Sequence, residues 1–229
     1  MKAFEKVTKW WLLEFCLMAI FAGIMVGIGG VSSLLASGSI GGGAGRLVGG
    51  LLFSLGMFSI ISFDMRLFTG MVASIPTMGL KNTWKLPVCF LCNALGVAFV
   101  AVLAYWSPVR EAVVPSAQAL IGAKLGQEAW AISSFCSSVI CGILITVSIW
   151  SAKFSPKKGL SVTVGVILPI VVFAFCGFDH SVANMLYFYY YGEVSWRVVG
   201  YILLSVLGNA VGGVLLPIAT MAHHEETKK

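Results

Sequence analysis

Residues 160–190 read LSVTVGVILPIVVFAFCGFDHSVANMLYFYY, an apolar run long enough to cross a bilayer but interrupted at Asp179 and His180. Placing ionisable side chains deep in such a run costs free energy in a membrane, so their presence indicates a functional site. Irregular backbone at membrane depth is tolerated only where protein buries it or a cavity lies beside it. The stretch therefore predicts a broken membrane helix next to a cavity.

The composition of the whole chain is that of an integral membrane protein. Of its 229 residues, 59% are hydrophobic and 10% are charged, whereas about a quarter are charged in soluble domains. The apolar runs are continuous rather than alternating, which favours an all-α protein over a barrel of strands. We predict one transmembrane domain over residues 1–229. Its six predicted spans lie at residues 10–36, 47–80, 86–106, 129–151, 160–190 and 197–220.

The net charge of +6 is spread over the short connections between these spans rather than gathered in one basic segment. With the N-terminus inside, ten Lys and Arg residues fall in inner segments and four in outer loops. This bias is a topology signal, not a sign of nucleic-acid binding. We therefore expect a multi-pass protein of the inner or plasma membrane, with a cytoplasmic N-terminus, a cytoplasmic tail at residues 221–229 and no nucleic-acid partner.

The two halves of the chain repeat each other at nearly constant spacing. Residues 62–64 (SFD) are echoed 115 positions later by residues 177–179 (GFD). Residues 93–96 (NALG) are echoed 116 positions later by residues 209–212 (NAVG). Ordered coincidences at almost one offset indicate an internal repeat.

Each predicted repeat, at about residues 1–106 and 129–220, contains three spans. An odd number of spans places the two repeats in opposite orientations in the membrane. The second and fifth helices are then both broken, and they meet near the bilayer midplane, where inverted repeats form transport sites.

The two breaks also carry polar residues that suit a small anion. Aligning the aspartates Asp64 and Asp179 places Thr69 and Asn184 at matching positions, each five residues further on. A half-helix starting there presents free N–H groups and the positive end of its dipole. We interpret the two aspartates mainly as caps of these half-helices.

His180 is the only histidine outside the C-terminal tail. Its ring exchanges a proton near neutral pH, so in mid-membrane it can hydrogen-bond a small anion or protonate it. The alternative is a neutral structural histidine bonded to a backbone carbonyl. A single histidine at depth, without a paired ligand or a serine–base arrangement, predicts neither an enzyme nor a metal or cofactor site.

Residues 177–185 (GFDHSVANM) resemble the fifth-helix motif of the formate/nitrite transporter family. Residues 67–69 (LFT), with residues 53–56 (FSLG) upstream, resemble that family's broken second helix, and residues 208–213 (GNAVGG) resemble its sixth-helix motif. The resemblance covers nearly the whole chain. It implies an aquaporin-like protomer with a three-plus-three inverted repeat, five protomers in a ring, and a pore in each for small monovalent anions of weak acids.

The resemblance also implies roles for individual residues. His180 would be the central pore histidine, with Thr69 as its polar neighbour. Arg66 stands where the family usually has an acidic residue, and we expect it to pair with Asp64 or Glu14. The other implied positions are an outer constriction of Phe53 and Phe173, an inner constriction of Met57, Leu67 and Phe68, a polar pore residue Asn209, and an anion-attracting Lys124.

Together these observations predict a channel or proton-coupled transporter for an anion of the formate, nitrite or hydrosulfide type. Hydrophobic constrictions exclude hydrated ions, and protonation of the anion between them removes most of the penalty for burying its charge. The expected partners are the anion, protons, the lipid bilayer and further copies of the chain in a homopentamer. A pore for water, ammonia or glycerol is the alternative. A membrane enzyme or haem electron carrier is a remote one.

Overall fold

The structure of the protein is a computed structural model that describes residues 8–154 and 159–226. All regular structure in these two ranges is helical. Two short 3-10 turns, Val72–Ser74 and Leu80–Asn82, connect elements in the first half. The helices are α1 (Lys9–Ile40), α2 (Gly42–Ser62), α3 (Phe68–Met71), α4 (Ile75–Met78), α5 (Lys85–Tyr105), α6 (Arg110–Leu125), α7 (Trp130–Phe154), α8 (Leu160–Cys176), α9 (Ser181–Tyr191) and α10 (Trp196–Glu226).

Six helical segments in the described ranges are long and apolar enough to cross a membrane. The prediction of an all-α protein with six spans is thereby confirmed. The second predicted span, at 47–80, divides into α2 and the short helices α3 and α4, and the fifth divides into α8 and α9. The last helix runs through Glu226, so it takes up most of the predicted tail, while residues 227–229 lie outside the described residues.

The two halves of the chain show the same helix packing. In the first half α1 packs against α2 and α5, and in the second half α7 packs against α8 and α10. In each half the first long helix thus contacts both the broken helix and the third long helix. This arrangement is the predicted three-plus-three repeat.

Glycines allow the closest helix crossings of both halves. A Cβ at Gly23 of α1 would lie 2.1 Å from the backbone oxygen of Asn93, and a Cβ at Gly142 of α7 would lie 2.5 Å from that of Asn209. Neither position has room for a side chain, because the obstacle is backbone. The crossings bring Asn93 and Asn209 to the two breaks.

Helix α6 lies between the third and fourth spans, where no helix was predicted. Its buried residues recur every fourth position and face α9 and α1. The signal was present in the sequence, since this spacing is that of an amphipathic helix. The buried residues of α6 are Val113, Ala117, Ile121 and Leu125.

Candidate functional site

The first break is held together by the side chain of Asn93. Its Oδ1 accepts a hydrogen bond from the Phe68 N–H at 2.8 Å. Its Nδ2 donates to the carbonyl oxygens of Arg66, at 2.9 Å, and Ala19, at 2.7 Å. Backbone groups freed by a break need partners when they are buried. Asn93 supplies these partners at both sides of Leu67.

Asn209 plays the same part at the second break. Its Oδ1 accepts from the Ser181 N–H at 2.8 Å, and its Nδ2 donates to the carbonyls of Asp179 and Ser138, both at 2.8 Å. All three bonds go to backbone atoms, and the side chain is fully buried. Asn209 is not among the residues that line the cavity described below. Its observed contacts are therefore those of a structural residue.

These asparagine contacts correct the predicted alignment of the breaks. They match Arg66 with Asp179 and Leu67 with His180, so the alignment of Asp64 with Asp179 is wrong by two residues. The first half makes a longer turn, in which Asp64 adopts a φ of 50°. The second half turns directly at Gly177, whose φ of 73° ends α8 in the left-handed conformation. The matching of Thr69 with Asn184 fails for the same reason.

His180 directly precedes α9 and caps it with its ring. Nδ1 accepts a hydrogen bond from the Ala183 N–H at 3.1 Å. In the neutral ring the proton is then on Nε2, which lies 2.9 Å from Thr69 Oγ1. Thr69 and His180, which were predicted to be neighbours, are thus in contact. The ring bonds to Thr69 and to the Ala183 N–H, and not to a backbone carbonyl as in the alternative interpretation. Thr69 accepts from the ring, which leaves its own O–H able to donate.

An aromatic pair lies directly beside this contact. The rings of Phe53 and Phe173 meet edge to face with centroids 5.3 Å apart. Phe173 also stacks on His180, with centroids 5.8 Å apart and planes 26° from parallel. Both phenylalanines are buried. The two residues expected at the outer constriction therefore lie next to the histidine.

The residues expected at the inner constriction belong to the same buried apolar cluster. Met57, Leu67 and Phe68 are each less than a tenth exposed. The Phe68 ring also meets Phe90 edge to face, at 5.1 Å between centroids. Phe90 was not predicted, because its position in the third span looks like any apolar residue of a membrane helix.

A cavity of about 200 Å³ lies beside His180. His180 and Phe173 line it together with Arg46 and Lys124. Both cations belong to segments predicted to lie outside the membrane on the same face. Asn184 does not line this cavity. Hydrogen bonds from its Nδ2 go instead to Asp179 Oδ1 and Ser205 Oγ, both at 3.1 Å.

Asp179 and Lys124 form an ion pair at the second break. Lys124 Nζ donates to Asp179 Oδ1 and, at 3.2 Å, to the Gly177 carbonyl. Tyr201 donates its O–H to Asp179 Oδ2 at 2.8 Å. The side chains are only 3% exposed for Asp179 and 13% exposed for Lys124. A buried carboxylate of this kind requires such partners.

The expected capping role of the aspartates is wrong at both breaks. Among the residues that the structure describes, the carboxylate of Asp179 accepts hydrogen bonds only from side chains, and His180 caps α9 in its place. The carboxylate of Asp64 pairs with Arg66 at 3.2 Å and is 85% exposed. Asp64 is one of the two partners that we expected for Arg66. Both carboxylates therefore bind cations instead of helix termini.

Six spans in two inverted halves, with broken helices meeting at a histidine beside a cavity, define a multi-pass membrane protein built from an internal repeat. The family model for formate/nitrite transporters matches residues 1–223. The chain therefore belongs to the formate/nitrite transporter family, and the resemblance seen in the sequence motifs is confirmed.

Individual relatives agree with this assignment. The chain is 29% identical over 159 residues to the formate channel FocA of Haemophilus influenzae, covering 62% of this chain and 53% of that protein. It is 28% identical over 233 residues to a probable formate transporter of Methanothermobacter thermautotrophicus, covering 86% and 84%. The chain thus spans about half the length of the first relative and most of the second.

A solved structure supports the fold. A pentameric formate channel with formate bound superimposes with a TM-score of 0.76 and 22% sequence identity, over 97% of this chain and 100% of that chain. At this identity the likeness shows the fold alone.

Proposed function

We propose that this protein is a channel or transporter for a small monovalent weak-acid anion of the formate, nitrite or hydrosulfide type. The observation that carries the proposal is His180, which is bonded to Thr69 and lines a cavity together with Arg46 and Lys124. The relatives support it, since they are described as formate channels and a probable formate transporter.

The aromatic pair provides the barrier that such a pore needs. Phe53 and Phe173 present apolar rings next to His180, and an ion there has lost most of its hydration. Burying a bare charge among apolar side chains is highly unfavourable, whereas a neutral acid passes with a small penalty. The pore therefore favours a solute that becomes neutral by taking up a proton.

His180 acts in this scheme as a fixed hydrogen-bond donor. Its Nε2–H donates to Thr69 Oγ1, and the Thr69 hydroxyl then donates to an oxygen or sulfur atom of the guest. Hydrogen bonds in such a chain strengthen one another. Protonating Nδ1 would set two donors face to face, because this atom already accepts from Ala183. The proton therefore comes from the bulk solution through water in the cavity, and the ring keeps its own proton.

The remaining expectations become parts of the same proposal. We infer that the protomers form a homopentamer with one pore each, and the pentameric formate channel that shares the fold supports the pentamer. We infer a cell-membrane location with cytoplasmic termini, from the distribution of Lys and Arg. Protons and the bilayer are the other partners, and the relatives, being channels and transporters, favour transport over catalysis.

A stopped-flow uptake assay with reconstituted vesicles tests this function. Formate, nitrite, hydrosulfide, acetate and lactate are offered across acidic to neutral pH, with glycerol as a neutral solute and protein-free vesicles as the control. We expect weak-acid uptake to exceed the control and to rise as the pH falls. Uptake of glycerol with no uptake of any weak acid would instead establish a pore for neutral solutes.

A further inference from the structure

The two cations that line the cavity differ in how their charges are balanced. Lys124 is held by Asp179 Oδ1 and by the Gly177 carbonyl, and its side chain is 13% exposed. The carboxylate therefore cancels most of the field that this lysine offers to an anion. The attraction for anions that was expected of Lys124 must therefore come from another cation.

Arg46 keeps its charge available. It is exposed at the cavity, and its guanidinium lies 5.6 Å from the centre of the Phe175 ring. Within residues 8–154 and 159–226 no carboxylate pairs with it. Stacking on a ring orders the guanidinium while leaving its N–H groups free to bind. Arg46 is thus the uncompensated cation of the cavity.

Three serines line the same cavity, and the hydroxyl of Ser116 donates to the Ala112 carbonyl at 2.7 Å. Ser33 and Ser37 are one turn apart on α1, and neither hydroxyl has a hydrogen-bond partner in the described parts of the chain. Both face Gly49, where a Cβ would lie 2.9 Å from Ser33 Oγ and 3.2 Å from Ser37 Oγ. Gly49 follows Arg46 by three residues on α2, so the two lie on one face of that helix. Any larger residue at Gly49 would cover the hydroxyls.

We propose that Arg46, Ser33 and Ser37 form an oxyanion-binding subsite at the cavity, which selects anions with two oxygens on one atom, such as carboxylates and nitrite, over hydrosulfide. The proposal rests on the proposed function and narrows its substrate class. A guanidinium binds two oxygens through parallel N–H bonds, and hydroxyls add further donors. Sulfur is a weak acceptor and offers a single atom, so hydrosulfide gains little from this geometry.

Initial uptake rates of formate and hydrosulfide by vesicles containing each variant provide the test. Arg46→Lys keeps the charge but loses the planar fork, and Ser33→Ala with Ser37→Ala removes the hydroxyls without adding atoms. For each of these, the formate-to-hydrosulfide ratio is expected to fall about tenfold, as for the loss of a hydrogen bond to a charged group. Arg46→Gln is expected to slow both anions and formate more. Arg197→Gln is the matched control, since Arg197 lies over Trp196 and does not line the cavity.

Formate and hydrosulfide rates that change by the same factor in all cavity variants would overturn the subsite. Saturation-transfer NMR of formate on the purified protein separates this result from a failure of the proposed function. If the wild type carries no anion, a formate signal that falls in Arg46→Gln but not in Arg197→Gln still supports the subsite. An unchanged signal in Arg46→Gln overturns it.

Discussion

Thr69 Oγ1 lies 2.9 Å from His180 Nε2, and this contact joins the first broken helix to the second across 111 positions of the chain. Neither residue can form the site alone, because Thr69 lies in α3 and His180 is the N-cap of α9. The hydrogen-bond direction follows from Ala183, which occupies the other ring nitrogen. Thr69 is therefore the group that we propose donates a hydrogen bond to a guest.

Removing the Thr69 hydroxyl is expected to slow anion uptake. Thr69→Val keeps the shape of the side chain and loses the donor, and we expect a decrease of about tenfold, the effect of one hydrogen bond to a charged partner. Thr69→Ser keeps the hydroxyl and serves as the control. Stopped-flow formate uptake measures both, and equal rates for the two variants would remove Thr69 from the mechanism.

Replacing His180 is expected to change the pH dependence of uptake. Without the ring, only neutral acid formed in bulk water crosses, so uptake falls more steeply with rising pH than in the wild type. His180→Asn and His180→Phe should share this behaviour. They should differ in stability, because Asn can still cap α9 while Phe cannot, a difference of about 1 kcal/mol.

Uptake measured against pH and thermal unfolding of the purified protein separate these two effects of His180. A wild-type pH profile in both variants would contradict the assigned role. A profile that changes only in the less stable Phe variant would point to disruption of α9 instead.

Breaking the Lys124–Asp179 pair is expected to be more harmful than removing it. Lys124→Met leaves a buried carboxylate without its cation, which typically costs about 3–5 kcal/mol. Adding Asp179→Asn to that variant removes the stranded charge and should restore part of the stability. Unfolding transitions of the two single variants and the double variant give the coupling, and additive effects would show that the pair is not energetically linked.

The two asparagines are expected to behave alike. Asn93→Ala and Asn209→Ala each remove three hydrogen bonds to backbone groups. At about 1 kcal/mol for each bond, both should lose about 3 kcal/mol of unfolding free energy. If Asn209→Ala instead slows uptake while keeping wild-type stability, its expected role as a polar pore residue would be restored.

The crossing of α7 and α10 is expected to reject a side chain at Gly142. Gly142→Ala would place its Cβ 2.5 Å from the Asn209 carbonyl oxygen, so the helices must separate. Gly122→Ala on α6 is the control, since no atom lies within 4 Å of its added Cβ. Thermal unfolding should show a loss for the first variant and a neutral or small stabilising effect for the second.

Much of the fold was accessible from the sequence because long apolar runs and interrupted spans leave strong signals. The repeat was also visible, but its register was set by the wrong residues. Asp64 and Asp179 look alike in sequence, yet the first lies in an exposed turn and the second in a buried pair. Asn93 and Asn209 were the better guides, since their side chains bond the same backbone groups in both halves.

The contacts around Lys124 were not accessible in the same way. Lys124 and Asp179 are 55 positions apart, and Lys124 reaches the break only because α6 packs against α9. The amphipathic spacing of α6 was readable, but the identity of its packing partner was not. Sequence patterns predict which face of a helix carries a charged residue, but not which residue it pairs with, because ion-pair partners are determined by tertiary packing.

The pairing of Lys124 with Asp179 also bears on how long a permeating ion stays. A lysine ammonium without a counter-charge would bind an anion tightly, and conduction requires that an ion be bound weakly enough to leave. In the proposed pore, the Asp179 carboxylate would offset the charge of Lys124, so that an anion beside this lysine would be held less tightly and released sooner.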